Sequence, residues 1–148
     1  MLFKKIHAII ILLSGLSAIF SYYFGSDMMF YILKPLTTIL ILLFALFHGH
    51  QSEKDILKVT VYGLLFCLLG DILLLKDSFF AFGLVAFLIA HILFIISFVK
   101  IDGFKNYFKP FILLIASAGA FYAFLYPSLE VLAIPVLIYV LCITLMAW

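Results

Sequence analysis

Charge is what this chain has least of. Only 11% of its 148 residues are Asp, Glu, Lys or Arg, and none of those is arginine. A soluble domain of this length is about a quarter charged. With 68% of the residues hydrophobic, too little polar surface remains to keep a globule in water, and the solvent these side chains suit is lipid. Cysteine is scarce too: Cys67 and Cys142 both fall inside apolar runs, which excludes a disulfide framework. Also missing are a Gly-rich phosphate loop, a zinc-spaced cysteine set and a basic patch of the size nucleic acid needs. "HGH" at 48–50 has metal-compatible spacing, but it borders a loop with no cysteine nearby, so no metal and no other cofactor is expected. The missing arginine, set against abundant Ile, Lys and Phe, points to an AT-rich bacterial genome and so to a bacterial cytoplasmic membrane.

What is present is a series of long apolar runs. Six can be cut, at about 6–24, 29–47, 56–75, 79–99, 111–126 and 129–148. Each is close to the roughly 20 residues that cross a hydrocarbon core of about 30 Å. The breaks between them, "GSD", "HGHQSEKD", "KDS", "KIDGFKNYFKP" and "PS", collect the turn formers and most of the charges. The chain reads as a single all-α transmembrane domain, a polytopic bundle of six helices. Lys4, Lys5, Lys54, Lys58, Lys100, Lys105 and Lys109 fall on one side of a six-pass zigzag, and only Lys76 falls in a loop on the other. The positive-inside rule therefore puts the N-terminus in the cytoplasm. "MLFKK" with "LSA" resembles a signal peptide, yet the apolar run continues past it through Tyr23, as a first membrane helix does.

Against this background "LLGDILLL" at 68–75 is the anomaly, since an ionised carboxylate is costly within a bilayer. Helical rise places Asp71 about 8 Å below the outer boundary and Lys34 about 9 Å below it, so an ion pair between them is expected. The bland reading is that such a pair only fixes helix packing. His91 lies deeper, about 18–20 Å in, and Tyr139 about 15 Å. Phe80, Gly83, Phe87, His91 and Phe94 share one arc of segment four, with the phenylalanines walling the imidazole. Thr37, Thr38 and Ile41 continue the face of Lys34; Thr60, Leu64 and Cys67 that of Asp71; Pro135, Cys142 and Met146 that of Tyr139. Several helices thus aim their few polar groups inward at overlapping depths, the pattern of a pocket entered from the outer leaflet or from lipid. Pro35 and Pro135 are candidate helix breaks, Pro35 being near a helix start and tolerable there.

"KPLTTILILL" at 34–43, "LLGDILLL" at 68–75, "FAFGLVAFLIAHILFI" at 80–95 and "PVLIYVLCITLM" at 135–146 together resemble the lysoplasmalogenase family, also called YhhN-like. The resemblance covers segments two to six in the family's order. It implies a multi-pass membrane hydrolase that cleaves the vinyl ether bond of lysoplasmalogens to a fatty aldehyde and a glycerophospho-headgroup. The partners it implies are a lysophospholipid or ether lipid and the bilayer. The family pattern has eight helices, with a Gly-Ala-x-x-Phe-x-x-Ser-Asp motif in the seventh. This chain ends at Trp148, so it is expected to be a piece that lacks the second aspartate, a naturally short member being the alternative. Asp71 and His91 are the expected catalytic residues, and Lys34, Thr38, Phe87 and Tyr139 the substrate-binding ones. Paired with Lys34, Asp71 is ionised and serves as base or cation stabiliser, leaving the acid role to the absent aspartate or to His91. Unpaired, Asp71 is itself the acid. A small lipid transporter or a lipid-binding protein uses the same buried polar groups, but internal repeats with broken helices, its usual sign, are not evident. A purely structural membrane partner has no need of four polar residues at matching depths.

Overall fold

The computed structural model describes residues 2–25, 27–49, 54–103 and 108–147. Six α-helices follow one another: α1 (Leu2–Tyr23), α2 (Asp27–His48), α3 (Lys54–Leu73), α4 (Phe80–Asp102), α5 (Phe108–Leu125) and α6 (Ala133–Ala147). No strand occurs among the described residues. Five helices are long and apolar enough to span a bilayer, while α6 has 15 residues. By rise alone α6 covers about 22 Å, short of a 30 Å core. In packing order the bundle runs α1, α2, α3, α4, α6, α5, so that α6 takes the seat beside α4 and α5 lies outside it.

The prolines move two helix starts away from the expected positions. α5 begins at Phe108, not Phe111, and α6 at Ala133, not Leu129, after two 3-10 turns at Tyr126–Ser128 and Glu130–Leu132. In both cases proline becomes the third helical residue, where its missing N–H has no intrahelical partner to lose. A helix begun at Leu129 would have put Pro135 in its interior. Pro35 shows the opposite outcome. It is the ninth residue of α2, an interior position, and the helix runs through it. At its other end α4 stops on Gly103, whose φ of 69° few side-chain-bearing residues adopt and whose N–H closes on the Val99 carbonyl at 3.0 Å.

The surface and the interior are inverted relative to a soluble protein. Large apolar side chains such as Leu13, Phe124 and Val131 are exposed, whereas the buried ones among the described residues are Ala18, Ser21, Gly63, Gly70, Gly83, Ala86, Ala90, Ser97, Cys142 and Thr144, with Asp71 and Val136. Between helices in lipid there is no hydrophobic drive, so association rests on close approach of small residues and on hydrogen bonds.

The α3–α4 pair shows both. A Cβ on Gly63 would meet the Phe94 ring, one on Gly70 the Phe87 ring at 2.7 Å, and one on Gly83 the Leu74 side chain at 2.8 Å. Thr60 and Ser97 hydroxyls meet at 2.7 Å, and since Thr60 donates to the Ile56 carbonyl, Ser97 is the donor between them. All four pairs share one sum of residue numbers, as a single antiparallel register requires, and follow one another at steps of three, seven and four residues, like coiled-coil knobs and holes. Replacing Ser97 by Ala should cost about 0.6 kcal/mol, up to ~1.7. Denaturation in mixed detergent micelles, with Thr60→Val as the matching half of the cycle, measures it; a double variant as unstable as the two losses added would show no coupling.

Candidate functional site

Asp71 sits one residue beyond Gly70, and that single step turns it from α4 towards α2. It is 7% exposed. Its Oδ1 lies 3.8 Å from Lys34 Nζ, and its Oδ2 accepts a hydrogen bond from the Thr38 hydroxyl. Lys34 and Thr38 are one turn apart on α2, so adjacent turns of one helix hold the two oxygens of one carboxylate. The lysine ammonium also stands 5.7 Å from the Phe30 ring centroid, over its face. Behind this face α2 is held to α1: Thr37 donates to the Leu33 carbonyl and receives the Ser14 hydroxyl, each at 2.8 Å. The expected Lys34–Asp71 pair is therefore present, and Thr38, read from sequence as a substrate contact, is placed on the carboxylate instead.

The arc on α4 divides. Gly83, Phe87 and Phe94 face α3, where they form the glycine–ring contacts described above. His91 turns to α6, its ring edge-on to Tyr139 with centroids 5.3 Å apart, and the Phe94 ring also meets it edge-on, with centroids 6.4 Å apart. His91 Nδ1 is 2.5 Å from the Phe87 carbonyl oxygen. A carbonyl only accepts, so Nδ1 carries the proton and Nε2 is left for exchange. Among the described residues no hydrogen bond or ion pair links His91 to Asp71. Tyr139, in ring contact with His91, is also within electrostatic reach of Cys67, Cys142 and Asp71.

Tyr139 also forms part of the wall of a cavity of about 610 Å³ between α4, α5 and α6, with Phe80, Leu84, Leu114, Phe121 and Ile143 among its other lining residues. Ligand cavities commonly measure roughly 300–1,000 Å³. Sequence reasoning singled out Tyr139 but did not find this cavity, whose α5 wall carries no charged residue to draw attention.

At the end of the bundle away from Lys76, the rings of His7, Phe44 and His48 pack together, with the two imidazole centroids 5.2 Å apart. His48 is the described member of "HGH", and His50 lies outside the described residues. No group of three or more His, Cys, Asp or Glu side chains able to hold a metal occurs among the described residues.

Long apolar helices packed through small residues around a buried carboxylate define an integral multi-pass membrane protein with a polar site inside the bilayer. The model of the YhhN family matches residues 29–148, and the chain belongs to that family, the lysoplasmalogenase family. The match takes in Lys34, Thr38, Asp71, Phe87, His91 and Tyr139 and leaves α1 outside it. No curated protein and no solved structure matches the chain.

Proposed function

We propose that the protein is a hydrolase of the vinyl ether bond of lysoplasmalogens, with Asp71 and His91 as its catalytic residues. The observation that carries this is Asp71 itself: a carboxylate within the span, both oxygens engaged, in a chain of this family. Protonation of the alkenyl carbon β to oxygen creates an oxocarbenium ion, and a carboxylate in a low-dielectric site stabilises such a cation far more than it does in water. His91 enters the cycle as the imidazolium, Nδ1–H on the Phe87 carbonyl, and delivers its Nε2 proton, which leaves the neutral ring. Water then adds to the cationic carbon while Asp71 takes a proton from it. The hemiacetal collapses as the glycerol oxygen receives the proton Asp71 took and the hemiacetal hydroxyl returns one to His91. One alkenyl ether and one water give one aldehyde and one glycerol hydroxyl, and both residues are regenerated. Lys34, beside the carboxylate and partly exposed, also attracts the lipid phosphate, and Tyr139 orders the alkenyl chain beside His91.

The lysines support an orientation for this chemistry. Lys4, Lys5, Lys54, Lys58 and Lys100 fall at one end of the helices and Lys76 at the other, which supports an Asp71 end that faces away from the cytoplasm.

The test is aldehyde release, trapped as a hydrazone, from an alkenyl-glycerophosphoethanolamine given to the purified protein. Release that disappears in His91→Asn is expected; no release above a protein-free control would overturn the reading. Thr38 acts through Asp71 as a positioning residue. Thr38→Val should lower kcat about tenfold, since a hydrogen bond to a charged group contributes about 1.5–3 kcal/mol. Thr38→Ser, which keeps the hydroxyl, should recover most of the rate. A serine variant as slow as the valine one would mean that Thr38 matters only for packing.

A further inference from the structure

At the lysine-rich end of the bundle two imidazoles from different helices meet. His7 is the sixth residue of α1 and His48 the last of α2, and their ring centroids lie 5.2 Å apart at an interplanar angle of 67°. Phe44, one turn before His48, stacks on the His48 ring at 4.8 Å and meets the His7 ring edge-on at 6.3 Å, which holds both imidazoles in place. Nδ1 of each is enclosed by protein and makes no hydrogen bond, and no other side-chain nitrogen or oxygen among the described residues is both enclosed and unpartnered. Nε2 of each ring is not enclosed, and water serves it whether it carries the ring proton or a lone pair. Nδ1 therefore wants a partner that the protein does not supply. A polar atom in that position costs stability, and here there are two on touching rings.

A cation satisfies two lone pairs at once. An anion needs N–H donors that it can reach, and both Nδ1 atoms are closed to solvent. An ion about 2.0–2.1 Å from one nitrogen of each ring, with a tetrahedral angle between them, sets the ring centroids about 5 Å apart. Ring packing alone gives similar spacings, so the enclosed nitrogens carry the argument and the spacing permits it. Imidazole nitrogen suits Zn²⁺, Cu²⁺ and Ni²⁺, whereas Mg²⁺ and Ca²⁺ take oxygen ligands. Lys4, one turn before His7, and Lys54, the first residue of α3, put positive charge at the same end. Their long stems let the ammonium groups stay in water, and the attraction for a cation comes from nitrogen lone pairs and not from local charge. We propose that His7 and His48 bind one divalent transition-metal ion of the Zn²⁺ class through Nδ1, and that the ion clamps α1 to α2. The described residues offer no group of three His, Cys, Asp or Glu ligands, so water completes the coordination. The clamp fastens α1 to the helix that carries Lys34 and Thr38, and it does not depend on the hydrolase reading. Sequence spacing drew attention to "HGH" alone, while the partner the fold gives His48 comes from another helix.

The full chain, free of any affinity tag, is titrated with Zn²⁺ in detergent against a chromogenic chelator, and its thermal unfolding is followed with and without the ion. One ion per chain is expected, with unfolding moved to higher temperature by Zn²⁺ and not by Mg²⁺. His7→Gln and His48→Gln should each weaken binding by at least ~10–100-fold, because losing a residue that merely supports a ligand already costs that much. Phe44→Leu keeps both ligands, frees their rings and should weaken binding less than either. Cu²⁺ reads the ligands directly: pulsed EPR should show the remote nitrogens of two imidazoles in the parent chain and of one in each single variant. Should a variant unfold, the count in the parent chain decides alone. No ion bound by the folded parent chain, fewer than two imidazoles on Cu²⁺, or binding that survives His7→Gln with His48→Gln and is lost only with His50→Gln would overturn the proposal. So would stabilisation by inorganic phosphate and not by Zn²⁺, which would make the pair an anion site.

Discussion

Asp71→Asn should lower aldehyde release by at least ~100-fold, the scale of losing a general base or a charge that stabilises the transition state. Asparagine has the shape of aspartate, so the Thr38 hydroxyl keeps an oxygen to donate to. What disappears is the negative charge next to the developing cation and the group that takes the proton from water. Stability should respond far less. Removing one member of a buried pair normally costs about 3–5 kcal/mol because its partner is stranded. Here the side chain left behind is Lys34, 27% exposed and set over the Phe30 face. Its long stem lets the ammonium move towards the interface, so a loss below ~2 kcal/mol is expected. Lys34→Met strands the carboxylate instead and should destabilise more than Asp71→Asn does. Unfolding in mixed micelles alongside hydrazone-trapped aldehyde separates the two effects. An asparagine variant with near-full activity, or one inactive only because it unfolds, reduces Asp71 to a packing device.

Gly70→Val should be the most disruptive single change in the α3–α4 pair. A Cβ at Gly70 would stand 2.7 Å from two atoms of the Phe87 ring, a distance real contacts do not reach. Overpacking typically costs about 1–3 kcal/mol and occasionally more, and here it acts at the centre of the site. Gly70 precedes Asp71, and the Phe87 carbonyl holds the His91 ring. Prising α3 from α4 therefore displaces both proposed catalytic groups at once, and activity should fall at least ~100-fold, since misplacement by about 1 Å costs that much. The compensating change is Phe87→Ala, which removes the ring the new methyls would strike. The double variant should regain stability relative to Gly70→Val, with a coupling of about 1–3 kcal/mol. Strict additivity would mean that the glycine–ring contact does not set the spacing of these helices.

Much of the site was legible because depth in a membrane helix is simple arithmetic. Lys34 and Asp71 were expected at one level on facing helices, and their charged groups lie 3.8 Å apart. His91 and Tyr139 likewise meet. Direction around the helix was harder. Phe87, His91 and Phe94 share one arc in sequence, yet a difference of about 100° per residue lets Phe87 and Phe94 enter the glycine gaps of α3 while His91 swings to α6. Which way an arc divides depends on the neighbour, and neither the seat of α6 beside α4 nor the α3–α4 register is written in any one segment. The hydroxyls were harder still. Thr38 was read as a ligand for substrate because nothing in the sequence marks Asp71 Oδ2 as its acceptor. The Ser14–Thr37 and Thr60–Ser97 bonds each join residues 23 or more apart. Two helix starts were missed: one run was begun directly after Pro110 and the other at Leu129 with Pro135 in its interior, whereas each proline is the third residue of its helix.

The central claim is that a carboxylate and an imidazole within the membrane span add a proton and then water across an alkenyl ether. Turnover in deuterium oxide tests it most directly, with the aldehyde trapped as it forms and analysed by mass spectrometry. Protonation at the β-carbon leaves one solvent deuterium next to the carbonyl carbon of each product, and an alkyl ether of the same length, which has no double bond to protonate, is not turned over. Aldehyde formed without that deuterium, or from the alkyl ether equally well, would contradict the account.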